Sequence, residues 1–320
     1  MAQHFLLSTK ARTLSLAQVL RLSDQEAYDT FKAIRFASNE GKPYCAKCGG
    51  FEIYEYSARR IFKCKACQAQ FSVTSGTIFA SRKLSVRDML AAIAIFVNGA
   101  KGISALQLSR DLDVQYKTAF VLAHKLREVM AAGVQDEEIS GDVEIDGAYF
   151  GGYVKPANYK QNRVDRRLLE NQTGKRRVVV IMRERDGTTL PSVHKAEADG
   201  VATIAATVKP GSTIYADEAS HWDALHSKFD TKRVNHSVCY KDDDCSTNMA
   251  ESFFSRLRRA EVGTHHHIAG PYLSGYANEM AWREDHRRIS NGEQYSKVVA
   301  AALAHPVSRQ WKGYWQRRVA

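Results

Sequence analysis

Apolar residues recur along this chain with different periods, and each change of period marks a boundary. Over the first 40 residues the spacing is helical. Ser23-Asp24-Gln25-Glu26 has the form of a capping box, and Ala27, Phe31, Ile34 and Ala37 follow near the helical repeat. Lys42-Pro43 ends that segment. Residues 44–80 alternate and are rich in Tyr, Phe and Ile, which predicts short strands. Ser85-Val86-Arg87-Asp88 reads as a helix cap, followed by an apolar helix to about Val97 that stops at Asn98-Gly99. A further helical block runs from Ile103 to about Ala132. Beyond Gly133 the polar run Gln135-Asp136-Glu137-Glu138 reads as a linker, and the remainder alternates strands with helices, the pattern of an α/β domain. The expected segments are therefore 1–43 helical, 44–80 a small β module, 81–134 helical, 139–290 α/β and 291–320 a basic tail.

The β module carries two Cys-x-x-Cys pairs, Cys45/Cys48 and Cys64/Cys67, with 15 residues between them. That is the spacing of a four-cysteine zinc site, in which two tight knuckles supply a tetrahedron of thiolates. Phe51 to Tyr56 and Arg60 to Phe62 are the expected ribbon strands, and Cys239 and Cys245 are left as free thiols.

In the helical block, Ser104-Ala105-Leu106-Gln107 has the form of another capping box. Leu108, Leu112, Val114, Ala119 and Leu122 then sit where a helix-turn-helix needs apolar or small contacts. The turn falls at Asp113, a residue type that tolerates left-handed backbone. The second helix would start near Gln115, offering Gln115, Tyr116, Lys117 and Thr118 to a DNA major groove.

Charge sharpens this reading. The net charge of +11 favours a polyanionic partner, and with no amphipathic anchor evident, nucleic acid is expected over membrane. No run of 18 apolar residues exists, and the N-terminus lacks an export signal, so a cytoplasmic, nucleoid-associated protein is expected.

The α/β segment holds the candidate chemistry. In Gly141-Asp142-Val143-Glu144-Ile145-Asp146-Gly147, strict alternation puts Asp142, Glu144 and Asp146 on one strand face and Val143 and Ile145 on the other. A carboxylate in such a strand is costly unless exposed, paired or metal-bound. Gly151-Gly152 would turn the chain into a second strand. Asp217 ends another strand, Ser212 to Asp217, ahead of a helix around Trp222 to Leu225. Glu251 lies on a helix capped by Thr247 or Asn248, sharing a face with Ser255 and Arg258 while Phe254 and Leu257 turn inward. Two strand-end Asp and a helical Glu form a ligand set for a pair of hard divalent ions, Mg²⁺ or Mn²⁺.

The ordered motifs VEIDGAYFGG, IYADE, TNMAESFFSRLRR and GTHHHIAGPYLSGYANEMAWREDHRR resemble the DDE transposases of the ISXO-like group of insertion sequences. YCAKCGG…FKCKACQAQFSVTSGT resembles the zinc ribbon that precedes their catalytic domain. The resemblance implies an RNase H-like fold and a triad of Asp146, Asp217 and Glu251, with Asn248 as a rival third ligand and Glu144 and Glu218 as the nearest rivals to the first two. It implies Arg258 as a contact to terminal DNA, and a dimer or higher oligomer on double-stranded DNA. Lys155, Lys160, Arg163, Arg166, Arg167, Lys175, Arg176 and Arg177 crowd the stretch after the first acidic strand, where a DNA-gripping loop and a solvated loop are both compatible. His265-His266-His267 reads as structure or DNA contact. A DNA-binding regulator or a stand-alone nuclease would share much of this pattern.

Overall fold

The computed structural model describes residues 5–134, 138–152, 155–165, 168–171, 173–185, 187–234 and 246–317; Arg166, Arg167, Cys239 and Cys245 lie outside them. The chain divides into two units, Met1–Gly133 with Arg287–Ala320, and Val134–His286. In the first unit, serines open the helices. Ser15 and Ser23 each cap the backbone N–H three residues on, and Gln18 and Glu26 return the bond, starting α1 (Leu16–Leu20) and α2 (Asp24–Arg35). Three antiparallel strands follow: β1 (Ile53–Tyr56), β2 (Ile61–Cys64) and β3 (Gln70–Phe71). Phe62 packs against Phe71 at 5.3 Å and against Phe36 at 5.9 Å between ring centroids.

Ser85 caps α3 (Val86–Asn98), which stops at Gly99 as expected. With Met89, Leu90, Ile93, Phe96 and Val97 all buried, α3 is the unit's central helix. Next come α4 (Ala105–Asp111), capped by Ser104, and α5 (Tyr116–Ala132). The reversal between them passes through Asp113 at φ 50°, in the left-handed region that Asp tolerates. Leu108, Ala119 and Leu122 are buried, holding the two helices together.

The second unit comprises β4 (Asp142–Phe150), β5 (Arg177–Glu184), β6 (Thr189–His194), α6 (Gly200–Thr207), β7 (Thr213–Asp217), β8 (Asp230–Val234), α7 (Asn248–Ala260) and α8 (Gly270–Asp285). The sheet order is β6-β5-β4-β7-β8, with β5 antiparallel to the central β4, and β7 and β8 parallel to it. Both faces of β4 and β5 are covered. Val143, Ile145, Val178 and Val180 pack with Ile204, Trp222 and Leu225. Ala148, Phe150, Val179 and Ile181 pack with Phe253, Phe254 and Leu257 of α7 and with Leu273 and Met280 of α8. Burying each such large side chain contributes roughly 1.5–3 kcal/mol. Gly200 allows α6 to sit close on the sheet, where a Cβ would come within 2.8 Å of Val180. Buried Glu284 of α8 pairs with Arg183 of β5 at 2.8 Å and also with Arg256 of α7, fastening both helices to the sheet.

Gly151 and Gly152 do take positive φ, 71° and 68°, yet among the described residues no strand follows before β5. The chain rejoins the sheet only at Arg177, and the described residues between form 3₁₀ turns at Lys160–Asn162 and Leu169–Asn171. The Lys/Arg-rich composition there has no apolar face to pair with β4. The stretch expected as a basic tail contains α9 (Asn291–Ala304), whose Val298, Val299, Ala302 and Leu303 are buried in the first unit. Asn291 accepts the backbone N–H groups of Thr13 and Leu14 at 2.8 and 3.0 Å, tying this return to the N-terminal segment. Trp311 stacks on His124 at 4.3 Å. Among the described residues, no helix is long and apolar enough to cross a membrane.

Candidate functional site

Two sites stand out, one in each unit. In the first, the sulfurs of Cys45, Cys48, Cys64 and Cys67 all lie within 4.8 Å of one another. The separations are 3.5 Å for Cys45 to Cys67 and 3.6 Å for Cys48 to Cys64. A tetrahedron with Zn–S bonds near 2.3 Å has edges of about 3.8 Å, so the four thiolates fit zinc with little adjustment. Each knuckle closes on a residue at positive φ four places after its first cysteine, Gly49 at 75° and Gln68 at 58°. Their N–H groups donate to the carbonyls of Cys45 at 2.9 Å and Cys64 at 3.0 Å. Burial pushes the Cys45 thiol up, but N–H donors from Cys48 and Lys47 outweigh it and bring the pKa down to about 7. Although the Gly50 N–H pulls it down, the neighbouring thiols push Cys48 the other way, up to about 12; four soft sulfur donors at this spacing are what zinc takes.

The second site spans the middle of β4, where Asp146 lies rather than at the expected strand end, the end of β7 and the first turn of α7. Alternation along β4 points Asp146 to the face covered by α7, half-buried beside fully buried Ile145. Burial pushes its carboxyl up to about 7; the Gly147 N–H, 2.7 Å away, opposes this, while Asp217, Glu197 and Glu251 add like charge. The three carboxylates expected from the sequence are therefore electrostatic neighbours. Asp217 ends β7 half-buried, held by the Ala219 N–H at 3.2 Å. Glu251 is exposed on α7 with Ser255 and Arg258, while Phe254 and Leu257 face inward. Among the described residues only the thiolates gather three or more ligand atoms within 4.8 Å, and the three carboxylates stand wider apart.

Glu197 and His221 escaped the sequence reading. Glu197 lies in a 3₁₀ turn ahead of α6 and packs against Gly147, where a Cβ would collide with its carboxylate. Burial and the Asp217 charge push its pKa up. His221 sits 3.8 Å from Glu197, its pKa lowered by burial against the pull of Asp217. Neither residue stands in a periodic segment or a spaced motif, so local pattern carried no signal for them.

The rival ligands are placed differently. Glu218 is exposed beyond β7, and Asn248 is exposed at the first position of α7. Glu144 is buried with both oxygens engaged, one by Arg185 at 3.3 Å and the other by the N–H groups of Met249 at 2.8 Å and Ala250 at 3.2 Å. The expected side-chain cap by Thr247 or Asn248 is replaced: Thr247 occupies the N-cap position without capping through its side chain, and Glu144 satisfies the amides instead. Of the expected DNA-contacting residues, Gln115, Tyr116 and Lys117 are exposed at the start of α5. Lys117 lies 5.3 Å over the Trp315 ring, whose indole N–H donates to the Lys117 carbonyl at 3.2 Å. Arg258 is exposed, its guanidinium 5.1 Å over the Phe150 ring. His265 ends a π-turn, Glu261–His265, and meets the Tyr276 ring edge-on at 4.6 Å.

Comparison with known proteins bears on both sites. Residues 22–70 match the transposase zinc-ribbon domain family, and residues 138–285 match the ISXO2-like transposase domain family. A protein in the transposable element ISH50 of Halobacterium salinarum is 24% identical over 295 residues, covering 88% of this chain and 98% of its own length.

Proposed function

Because this chain belongs to the ISXO2-like transposases, with a transposase zinc ribbon ahead of the transposase domain, we propose that it cuts and joins DNA at the ends of an insertion sequence. The observation that carries this reading is that Asp217 and Glu251 both act electrostatically on Asp146, which lies on the central strand of a sheet whose strand order and antiparallel second strand suit an RNase H-like fold. These carboxylates would hold two divalent ions, Mg²⁺ or Mn²⁺. Bound there, such ions supply Lewis-acid stabilisation of the attacking and leaving oxygens of a phosphodiester.

The protein's own part is positioning and electrostatics. Asp146, on the central strand, cannot follow substrate motion; Asp217 ends the neighbouring parallel strand, and Glu251 approaches from α7. Water, oriented in line, hydrolyses the strand and frees a 3′-OH, and that hydroxyl then attacks target DNA without a covalent protein intermediate. Arg258, on the Glu251 face of α7, binds a phosphate of the terminal DNA. Gln115, Tyr116 and Lys117 read base edges in the manner of a helix-turn-helix, from a region that the structural zinc ion helps to hold. Arg166, Arg167 and their basic neighbours grip the backbone, and two or more protomers bring the two ends together.

The test is a panel of substitutions assayed for end binding and cleavage. Asp146→Asn, Asp217→Asn and Glu251→Gln should bind terminal DNA normally and lose cleavage by several orders of magnitude. Asn248→Ala should keep activity. The reverse result at Glu251 and Asn248 moves the third ligand to Asn248, and full cleavage by Asp146→Asn refutes the mechanism.

A further inference from the structure

Three elements carry the proposed carboxylates, and each meets the same buried node one step before its carboxylate. Glu144 precedes Asp146 by two positions on β4, so both side chains point to one face of the strand. Tyr215 precedes Asp217 by two on β7 and is the direct strand partner of Glu144. Met249 precedes Glu251 by two on α7. Glu144, 1% exposed, accepts the N–H groups of Met249 and Ala250 at 2.8 and 3.2 Å. Arg185 bonds Glu144 at 3.3 Å, donates to the Ser246 carbonyl just ahead of α7 at 3.3 Å, and lies 3.8 Å over the Tyr215 ring. The Tyr215 hydroxyl in turn donates to Asp142 at 3.2 Å.

We propose that Glu144 and Arg185 form a positioning layer beneath the three carboxylates, an inference that rests on the reading of Asp146, Asp217 and Glu251 as the metal-holding triad. A helix leaves its first N–H groups without intrahelical partners, and here the N-cap residue Thr247 does not cap them through its side chain. Glu144 supplies the acceptor from the strand that carries Asp146. Its two bonds therefore do more than end the helix. They fix the rotation and height of α7 against β4, and with them the direction in which Glu251 leaves the helix. A slip of α7 by one residue would turn Glu251 by about 100°. Arg185 balances the buried charge and extends the same constraint to β7 through Tyr215. Glu144 is thus a positioning residue that acts through the amides of α7, not a ligand.

The test uses the full zinc-loaded chain and four variants: Glu144→Gln, Glu144→Asp, Arg185→Ala and Asp146→Asn. Four quantities are read: Mn²⁺ affinity by titration calorimetry, cleavage kcat and KM, thermal midpoint, and hydrogen exchange at Met249 and Ala250. Loss of an outer-shell partner weakens metal binding by roughly 10–100-fold. Glu144→Gln should show that loss, with kcat reduced, KM for DNA unchanged, and faster exchange at the two amides. Glu144→Asp keeps the charge but is one methylene too short to reach them, so it should behave like Gln. Full Mn²⁺ affinity in Glu144→Asp would make the effect one of charge and overturn the proposal. A lowered thermal midpoint with unchanged Mn²⁺ affinity and kcat per folded molecule would overturn it too, leaving a purely structural pin. If the Glu144 variants fail to fold, Arg185→Ala decides, since its side chain is the more exposed of the pair. It should weaken Mn²⁺ binding in the same direction, and an unchanged affinity refutes the positioning layer. Asp146→Asn separates the two readings: if it binds Mn²⁺ and cleaves like the wild type, the triad itself is wrong. If it loses both while Glu144→Gln keeps both, the triad stands and the positioning layer falls.

Discussion

Neutralising Asp146 should stabilise the metal-free fold, and the structure sets the size of the effect. The Asp146 pKa rises from an ordinary 3.8 to about 7, through burial and then through the charges of Asp217, Glu197 and Glu251. The folded state therefore holds the proton more tightly than the unfolded chain. Its contribution to stability is fully present below pH 3.8, is lost as pH rises to about 7, and is flat above that. At roughly 1.4 kcal/mol per pH unit, the ionised group costs the fold about 4 kcal/mol. Asp146→Asn cannot ionise and escapes this cost. In Mg²⁺-free buffer, hydrogen exchange at the buried β5 amides, corrected for intrinsic rates, gives the unfolding free energy of the second unit at each pH. The variant should match the wild type at about pH 4 and exceed it by about 4 kcal/mol at pH 8. Added Mg²⁺ should narrow the gap by stabilising the wild type alone. Stability curves that run parallel from pH 4 to pH 8 would refute the reasoning, because they would mean that Asp146 ionises in the fold as it does in the unfolded chain.

Three further outcomes are expected. Metal analysis should find about one zinc per chain, and Cys64→Ser with Cys67→Ser should abolish it and unfold the ribbon; unchanged zinc content would contradict the assignment. Replacing Lys155, Lys160 and Arg163 by Ala should weaken binding to terminal and scrambled DNA alike and flatten the slope of log affinity against log salt by about 0.9 for each phosphate no longer neutralised. A selective drop in affinity for the terminal sequence would instead make this stretch a reader of bases. Gly147→Ala would drive a methyl into the Glu197 carboxylate beside Asp146; that flexible side chain should swing aside at little cost in stability, and cleavage should fall with end binding intact.

How much of this was legible follows from how local each signal is. The zinc ligands could be read because both knuckles are short and repeat one spacing. Asp146 and Asp217 stood out because each interrupts or ends an apolar strand, and Glu251 because its helix shows a clean polar face; their role as metal ligands is the proposal made above. Glu144 could be placed on the face of Asp146 but its role could not, since the amides it caps lie 105 and 106 residues away and Arg185 lies 41 away. Sequence periodicity reports which way a side chain points, not what waits there. Thr247 was a reasonable cap by residue type, and a distant carboxylate displaced it. The stretch after Gly152 misled because paired glycines suit a tight turn, while the register with β4 is supplied only from Arg177 onward. Within 291–320, the apolar positions of α9 gain meaning only from the helices that receive them.

The central claim is that this chain joins DNA ends through Asp146, Asp217 and Glu251. The most direct measurement incubates the purified protein with Mg²⁺, a supercoiled plasmid and labelled DNA bearing the inverted repeats expected to flank its coding region. The account predicts label covalently joined to plasmid through a 3′ end, dependent on Mg²⁺ and absent with Asp146→Asn even though that variant still binds the repeats. Undiminished joining by Asp146→Asn, or specific binding by the wild type without any cleavage or joining, would contradict it, and the second result would make the protein a DNA-binding regulator.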